Sequence, residues 1–179
     1  MQHSVTQHDV FIGLGSNLHD PVAHLRRAVE EIARLDGVAA TGRSSVYRSA
    51  PVGHADQPDF FNAVLRIRTG LAPATLLAAL HDIEQLHGRT RTFRNAPRTL
   101  DLDVLLVGAL RQDDPALTLP HPRCHERAFV LRPLVEIAPD CVIPGRGFAR
   151  DWLAACVDQP IEKLGALVAD EAGAMAVER

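Results

Sequence analysis

Residues 100–107 read LDLDVLLV, a pattern that indicates a buried strand with two acids on one side. Side chains two residues apart in a strand project to the same face, so Asp101 and Asp103 point together while Leu102 and Val104 point to the opposite face. The α-carbons of the two acids are expected about 6.6 Å apart, which is two strand rises. Adjacent carboxylates repel each other unless a cation lies between them. A site for Mg²⁺, which commonly uses one or two carboxylates, and a solvated strand face are both compatible with this segment alone.

The segments before this strand alternate between strand and helix patterns. Apolar runs and alternating residues predict strands, and Pro residues at helix starts with Gly residues at helix ends predict helices. The predicted elements are a strand at 10–14, a helix from Asp20 and Pro21 to Gly37, strands at 41–48 and 61–67, and a helix from Pro73 to Gly88. With the strand at 100–107, this order predicts an α+β fold with the ferredoxin-like pattern β-α-β-β-α-β, an antiparallel sheet flanked by helices.

The segments after the strand predict additional helices. Residues 126–137 have a helical pattern that Pro133 is expected to bend or divide. Residues after about 145 are interpreted as extra C-terminal helices around Trp152 and Leu164. We expect one domain over residues 1–179, with a core at 9–157 and a C-terminal extension of unknown role at 158–179.

Composition excludes several classes of protein. The chain has 179 residues, 46% apolar residues and a net charge of −3, values typical of a globular protein with one domain. It contains no run of eighteen apolar residues for a membrane span, and its first residues, MQHSVTQHD, lack the pattern of a secretory signal. The three cysteines form no C-x-x-C pair, which favours a reducing cytoplasm. A pI near 6.3 argues against a general nucleic-acid binder, and nothing in the sequence indicates an obligate oligomer, so we expect a monomer.

A loop rich in arginine precedes the acidic strand. Arg89, Arg91, Arg94 and Arg98 lie within ten residues that contain no acid. Guanidinium groups suit phosphate oxygens, and carboxylates holding a metal on the same phosphates would complement them. The alternatives are an exposed basic loop and an RNA-binding patch, although only Phe93 could stack on a base nearby. We favour a magnesium–polyphosphate site.

Common nucleotide-binding motifs are absent from the sequence. No G-x-x-x-x-G-K-[ST] loop and no protein-kinase signature occurs. Gly13 and Gly15 follow a predicted strand, but Leu18 stands where a dinucleotide-binding motif needs its third glycine. The phosphate site must therefore be of another kind.

Two further segments contain candidate ligand-binding residues. In SAPVGHADQPDFFNAV (49–64), the amide of Asn62 could recognise a flat heterocycle stacked on an aromatic ring, and a solvated hairpin is the alternative. In LTLPHPRCHERAF (117–129), His121 and Arg127 could contribute to a nucleotide site. His121, Cys124 and His125 could instead suggest zinc, but prolines flank His121 and a fourth ligand is not evident.

Four blocks of sequence together resemble the bacterial 6-hydroxymethyl-7,8-dihydropterin pyrophosphokinases of folate biosynthesis. The blocks are FIGLGSNLHDP, SSVYRSAPVG with QPDFFNAV, GRTRTFRNAPRTLDLDVLLVG, and LTLPHPRCHERAFVLRPLVEIAPD. The similarity extends from about residue 10 to residue 144, and PRTLDLD at 97–103 is highly specific to that family. The resemblance implies transfer of the β,γ-diphosphate of ATP to the hydroxymethyl group of the reduced pterin, with release of AMP.

The resemblance also implies roles for individual residues. Asp101 and Asp103 match the acids that hold two Mg²⁺ ions, and together with Arg89 and Arg98 they are the expected catalytic residues. The expected ATP-binding residues are Glu84, Arg89, Arg91, Arg98, Val104, Thr118, His121 and Arg127. The expected pterin-binding residues are Ser49, Pro51, Val52, Gly53, Phe60, Asn62, Asp101 and Phe129. The sequence departs from the family pattern in having Asn95 near a usual tryptophan, Pro122 near a usual aromatic residue, and Phe60 in place of a common tyrosine.

Overall fold

Apolar periodicity explains most of the elements in the computed structural model, which describes residues 6–53, 56–89 and 97–167. Asp20 caps the first helix by accepting a hydrogen bond from the amide of Ala23 (3.2 Å), and Pro21 and Pro73 occupy the first turns of two helices. The elements, in chain order, are β1 (His8–Ser16), α1 (Pro21–Ala33), β2 (Val38–Arg43), β3 (Ser45–Ser49), β4 (Phe60–Thr69), α2 (Pro73–Leu86), β5 (Asp101–Val107), α3 (Ala128–Ile137), β6 (Val142–Ile143), β7 (Gly147–Phe148), α4 (Ala149–Ala154) and β8 (Ile161–Ala166).

Six strands form one antiparallel sheet. Five of them follow the order β5-β1-β4-β3-β8, and β2 also pairs with β4. The antiparallel sheet with flanking helices confirms the predicted α+β class. The predicted strand at 41–48 is two strands that both pair with β4, and they are interrupted at Ser44, whose hydroxyl accepts a hydrogen bond from the amide of Val64 (2.9 Å).

Each face of the sheet packs against a separate layer of helices. The main core joins one face to α1 and α2, and Ile12, Leu65 and Leu102 are among its fully buried members. The second core joins the opposite face to α3 and α4, with Phe11, Val64 and Leu105 supplied by the strands. Because side chains alternate along each strand, the residues two positions away from Phe11, Val64 and Leu105 lie on this same face of the sheet.

The C-terminal part of the described chain corrects the expected helix around Leu164 and shows an undivided helix at Pro133. A helix is present around Trp152, but Leu164 lies in strand β8, which pairs antiparallel with β3. Ile161 and Leu164 are three residues apart, a spacing typical of helices, whereas backbone pairing with the edge of β3 determines the strand. Pro133 does not divide α3, which is continuous from Ala128 to Ile137. Among the described helices, none has the length and apolar character needed to cross a membrane.

Candidate active site

The site is built on three neighbouring strands whose residues align in rows across the sheet. Gly15 of β1 pairs with Asp101 of β5 on one side and with Asn62 of β4 on the other. Gly13 pairs with Asp103 and with Val64 in the same way. Because paired residues project to the same face, both carboxylates and the Asn62 amide lie on the face that α3 and α4 cover elsewhere.

The two glycines of β1 leave the space between these side chains open. Both line the cavity that lies over this part of the sheet. A Cβ at Gly15 would lie 3.1 Å from the amide oxygen of Asn62, and one at Gly13 would lie 3.4 Å from the Leu105 side chain. A larger residue at position 15 would therefore displace the amide or occupy the cavity.

A cavity of about 700 Å³ lies over this part of the sheet. Its lining brings together twelve of the predicted site residues. They are Arg89, Arg98, Asp101, Asp103, His121 and Arg127 from the predicted phosphate and metal site, and Ser49, Pro51, Val52, Phe60, Asn62 and Phe129 from the predicted pterin site. Loop, strand and helix residues that are far apart in sequence therefore share one space.

Asp101 is neutralised by two arginines in this structure. Its Oδ1 lies 2.7 Å from a guanidinium nitrogen of Arg89, and its Oδ2 pairs with Arg98. Arg89 also pairs with Glu84, which is buried and accepts a hydrogen bond from the amide of Leu102 (2.7 Å). Burial raises the pKa of Glu84, while the bond from Leu102 and the charge of Arg89 oppose that shift. Glu84 therefore acts as a buried support for Arg89 rather than as a solvated acid.

Asp103 differs from Asp101 because its carboxylate has no hydrogen bond or ion pair with any residue in the described ranges, although its backbone lies in the ladder with β1. Burial, and then repulsion from Asp101, raise the pKa of Asp103 to about 7, and Arg127 opposes this shift. A partly buried carboxylate beside a second acid is stabilised when a cation binds to it.

A divalent cation fits this donor set. Carboxylate oxygens are the ligands that Mg²⁺ prefers, and it commonly takes one or two of them together with substrate phosphates. Within the described residues, no group of three or more His, Cys, Asp or Glu side chains is arranged to hold a metal. A metal held by Asp101 and Asp103 would have coordination positions open to phosphate oxygens and water.

His121 and Arg127 lie beside the acids. Burial, and then the nearby charge of Arg127, lower the pKa of His121 to about 4. Its Nδ1 accepts a hydrogen bond from the amide of Arg123 (3.1 Å), so the neutral ring carries its proton on Nε2 and can donate from that atom. Arg127 is partly buried, and its guanidinium lies 5.5 Å from the ring centroid of Phe129. Burial lowers its pKa, whereas the charges of Asp103 and Asp101 oppose the shift.

The predicted pterin side of the cavity has an oriented amide. The Nδ2 of Asn62 donates to the hydroxyl of Ser49 (3.1 Å), which fixes the amide so that its oxygen faces Gly15. Phe60 and Phe129 are partly exposed in the same lining and offer ring surfaces. Amide and aromatic groups together can bind a flat, polar heterocycle.

Some predicted site residues lie outside the cavity lining. Val104 is buried in the main core on the opposite face, so its side chain does not line the cavity, and its role in binding ATP stays a prediction. Thr118 donates its hydroxyl to the carbonyl of Asp114 (3.0 Å), and neither it nor Gly53 lines the cavity. Arg91 and the neighbouring Arg94 lie outside the described residues.

The three residues considered for zinc point to different surroundings. His121 lines the cavity, whereas Cys124 is buried in the second core. His125 packs edge-on against Trp152, with a distance of 4.8 Å between the ring centroids.

Sequence reasoning did not identify Asn17 as a residue that organises the site. Asn17 is 1% exposed, and its Nδ2 donates to the side chain of Gln57 (2.9 Å) and to the carbonyl of Pro58 (3.1 Å). Its Oδ1 accepts the amide of Arg98 (2.9 Å). One side chain at the end of β1 thus holds the loops on both sides of the cavity. The position of an asparagine directly after a glycine-containing strand was the only signal in the sequence.

Comparisons with known proteins give a consistent result. The model of a family described as 7,8-dihydro-6-hydroxymethylpterin-pyrophosphokinase matches residues 11–139. The chain is 44% identical over 155 residues to a 2-amino-4-hydroxy-6-hydroxymethyldihydropteridine pyrophosphokinase of Pseudomonas aeruginosa, covering 87% of this chain and 96% of that protein. It is 43% identical to the protein of the same name from Haemophilus influenzae, covering 86% of this chain and 96% of that protein.

A solved structure with a similar fold is the Plasmodium falciparum HPPK-DHPS with pterin and p-hydrobenzoate. The TM-score is 0.64 at 12% identity, and the match covers 88% of this chain and 46% of that one. At that identity the likeness concerns the fold, and this chain spans less than half of the Plasmodium chain.

Proposed function

The chain belongs to the 7,8-dihydro-6-hydroxymethylpterin-pyrophosphokinase family, and we propose that the cavity over Gly13 and Gly15 is where it transfers pyrophosphate from ATP to hydroxymethyldihydropterin in folate biosynthesis. The observation that carries this assignment is that Asp101 and Asp103 lie on one face of β5 in the cavity lining, together with Arg89 and Arg98, and that Asn62 lies across β1 from Asp101. The charged groups suit the triphosphate of ATP, and the amide suits the flat heterocycle of the second substrate, the pterin.

The acids and arginines would bind the triphosphate. Asp101 and Asp103 would hold two Mg²⁺ ions, which supply positive charge to the phosphate oxygens when bound. Arg89 and Arg98 now neutralise Asp101, and on substrate binding they would turn toward phosphate oxygens. His121 would donate a hydrogen bond from Nε2 to a phosphate oxygen, and Arg127 would neutralise the phosphate charge near Asp103.

The pterin would bind beside Asn62, with Phe60 and Phe129 available for stacking and Asp101 within reach of the same row. The hydroxymethyl oxygen then attacks the β-phosphorus of ATP, in line with the bond from that phosphorus to the oxygen that bridges it to the α-phosphorus. A new oxygen–phosphorus bond forms, the bond between the bridging oxygen and the β-phosphorus breaks, and AMP leaves with that oxygen. The hydroxyl proton is lost in the step, and Asp103 is the proposed acceptor because it lines the cavity beside the phosphate site.

Four broader assignments belong to the same proposal. The strand order β5-β1-β4, with β2 also on β4, supports a ferredoxin-like core. We propose one domain with a core at 9–157 and an extension at 158–179, and β8 of that extension joins the sheet. The three free cysteines suit a reducing cytoplasm, and we expect the protein to act as a monomer.

Product analysis tests the proposal directly. The purified protein is incubated with ATP, Mg²⁺ and reduced hydroxymethylpterin, and the nucleotides are separated by chromatography. We expect AMP in equal amount to the pterin diphosphate, and no turnover when Mg²⁺ is removed by a chelator. Formation of ADP would contradict pyrophosphoryl transfer, and AMP release independent of the pterin would contradict the assigned acceptor.

A further inference from the structure

Gln159 makes contacts that no part of the proposed mechanism uses. Its Oε1 accepts a hydrogen bond from the amide of Ala128 (2.8 Å), and its Nε2 donates to the carbonyl of Glu126 (2.8 Å). The side-chain amide thus pairs with the backbone on both sides of Arg127. Gln159 itself also lines the cavity.

Arg127 is the one residue between two helical segments. The 3-10 turn at Cys124–Glu126 ends before it, and α3 begins after it at Ala128. Its backbone is extended, with φ −120 and ψ 115, and α3 has no side-chain cap from this residue. The amide of Ala128 belongs to the first turn of α3, where amides have no partner within the helix. Gln159 therefore replaces the missing cap from a position 31 residues further along the chain.

Gln159 is held firmly enough to act in this way. Its backbone amide donates to the carbonyl of Cys156 (3.1 Å), just beyond the end of α4. Two residues later the chain enters β8, where Ile161 pairs with Ser49 of β3. The amide bridge therefore connects the junction at Arg127 to the sheet rather than to a free chain end.

We propose that Gln159 is a positioning residue that fixes the backbone of Arg127, so that the guanidinium enters the cavity beside Asp103 and Asp101. This inference rests on the proposed function, in which Arg127 neutralises phosphate charge. Without the bridge, the junction between the 3-10 turn and α3 gains backbone freedom, and the guanidinium loses its fixed direction. The segment at 158–166 then has a role in the active site, although sequence reasoning gave it none.

A double-mutant cycle with Gln159→Ala and Arg127→Ala tests the proposal. We expect Gln159→Ala to lower kcat/KM for ATP roughly tenfold, which is below the hundredfold that a misplacement of about 1 Å can cause. In the Arg127→Ala background, the same substitution is expected to have almost no further effect, because both act through one guanidinium. Full additivity of the two losses, or wild-type kinetics for Gln159→Ala, would overturn the proposal.

Two more variants separate positioning from general stability. Lys163→Ala removes the contact of β8 with Glu136 (3.6 Å) and leaves the amide bridge in place, so its kcat/KM for ATP should equal that of the wild type. Gln159→Glu keeps the acceptor for Ala128, but its ionised second oxygen faces the carbonyl of Glu126. Relative to wild type, its activity should recover as the pH falls and the carboxyl becomes a donor. Absence of recovery would count against the bridge even if Gln159→Ala failed to fold.

The failure of this inference is distinguishable from failure of the proposed function. If the wild-type protein releases no AMP, the function is wrong. If the wild-type protein is active and the cycle shows no coupling, only the role of Gln159 is wrong.

Discussion

At the scale of single residues, the two cavity acids have the same orientation but different electrostatic surroundings. Asp101 has a guanidinium partner for each of its oxygens, so its charge is already balanced. Asp103 is partly buried next to it, and its carboxylate has no such partner among the described residues, so its ionised form is unfavourable. One acid thus contributes to the stability of the protein, and the other costs stability until a cation binds.

Substituting each acid by its amide should separate these roles. Asp101→Asn and Asp103→Asn should both lower kcat by about 100-fold or more, because each removes a metal ligand. Asp101→Asn should also lower the free energy of unfolding by about 1–3 kcal/mol, because Arg89 and Arg98 lose a partner. Asp103→Asn should leave it unchanged or raise it. Steady-state AMP release and thermal unfolding measure the two effects, with Asp113→Asn as an exposed control. Near-normal turnover in either variant would exclude the metal assignment.

Gly15 offers a second test at this scale. The added methyl group in Gly15→Ala would lie 3.1 Å from the Asn62 amide oxygen, so the amide must move or the pterin must lie farther out. We expect KM for the pterin to rise about tenfold, the effect of about 1.4 kcal/mol, with KM for ATP nearly unchanged. Gly42→Ala is the control, because its Cβ would meet only the Arg66 side chain at 3.6 Å, away from the cavity. An equal rise in both KM values for Gly15→Ala would argue against a local effect at the amide.

At the scale of elements, the end of β1 joins the two loops that border the cavity. Asn17 bonds to Gln57 and Pro58 on one side and to Arg98 on the other. The hydroxyl of Ser16 also donates to the carbonyl of Thr99. The strand that supplies the glycine floor therefore also sets the positions of the loops around it.

Removing the Asn17 side chain should disturb both loops together. Asn17→Ala leaves the partly buried amide of Arg98 without its partner, so we expect a loss of about 1–3 kcal/mol in unfolding free energy. KM should rise for ATP and for the pterin, as measured by steady-state kinetics. Gln57→Ala removes a partner on one side only and should raise KM for the pterin alone. If Asn17→Ala and Gln57→Ala changed the two KM values in the same way, Asn17 would not hold the two loops independently.

Elements determined by local periodicity were predictable, and those determined by long-range pairing were not. The helix predicted from Pro73 to Gly88 is α2 at Pro73–Leu86, because apolar spacing and its terminal residues are local signals. The shared face of Asp101 and Asp103 followed from strand alternation, and both acids do line one cavity. Strand β8 depends on backbone pairing with β3, and the bridge from Gln159 spans 31 residues, so neither has a local signature. Val104 was assigned to ATP by resemblance alone, against the alternation that buries it.

At the scale of the whole molecule, the position of the site follows from how the helices cover the sheet. One face is covered by α1 and α2 along the main core. On the other face, α3 and α4 cover Phe11, Val64 and Leu105, while the ends of the central strands carry glycines and polar residues. The apolar cores stabilise the fold, and this stability offsets the cost of an ionised Asp103 on the uncovered part of this face.

This unfavourable setting should make the stability of the metal-free protein depend on pH in a defined direction. Because the pKa of Asp103 is raised in the folded state, its contribution to stability is greatest below the ordinary carboxyl value of 3.8 and is lost as the pH rises toward about 7. His121, whose lowered pKa acts in the opposite direction, is common to the wild type and Asp103→Asn and cancels in their difference. In the presence of a chelator, the unfolding free energy of Asp103→Asn should therefore gain on the wild type between about pH 4 and pH 7. Excess Mg²⁺ should reduce that gain at neutral pH, because it stabilises the wild-type carboxylate. Chemical denaturation across this pH range measures the unfolding free energies with a chelator and with Mg²⁺. If the wild type and Asp103→Asn gave parallel pH profiles that Mg²⁺ left unchanged, Asp103 would not be a carboxylate that binds a cation.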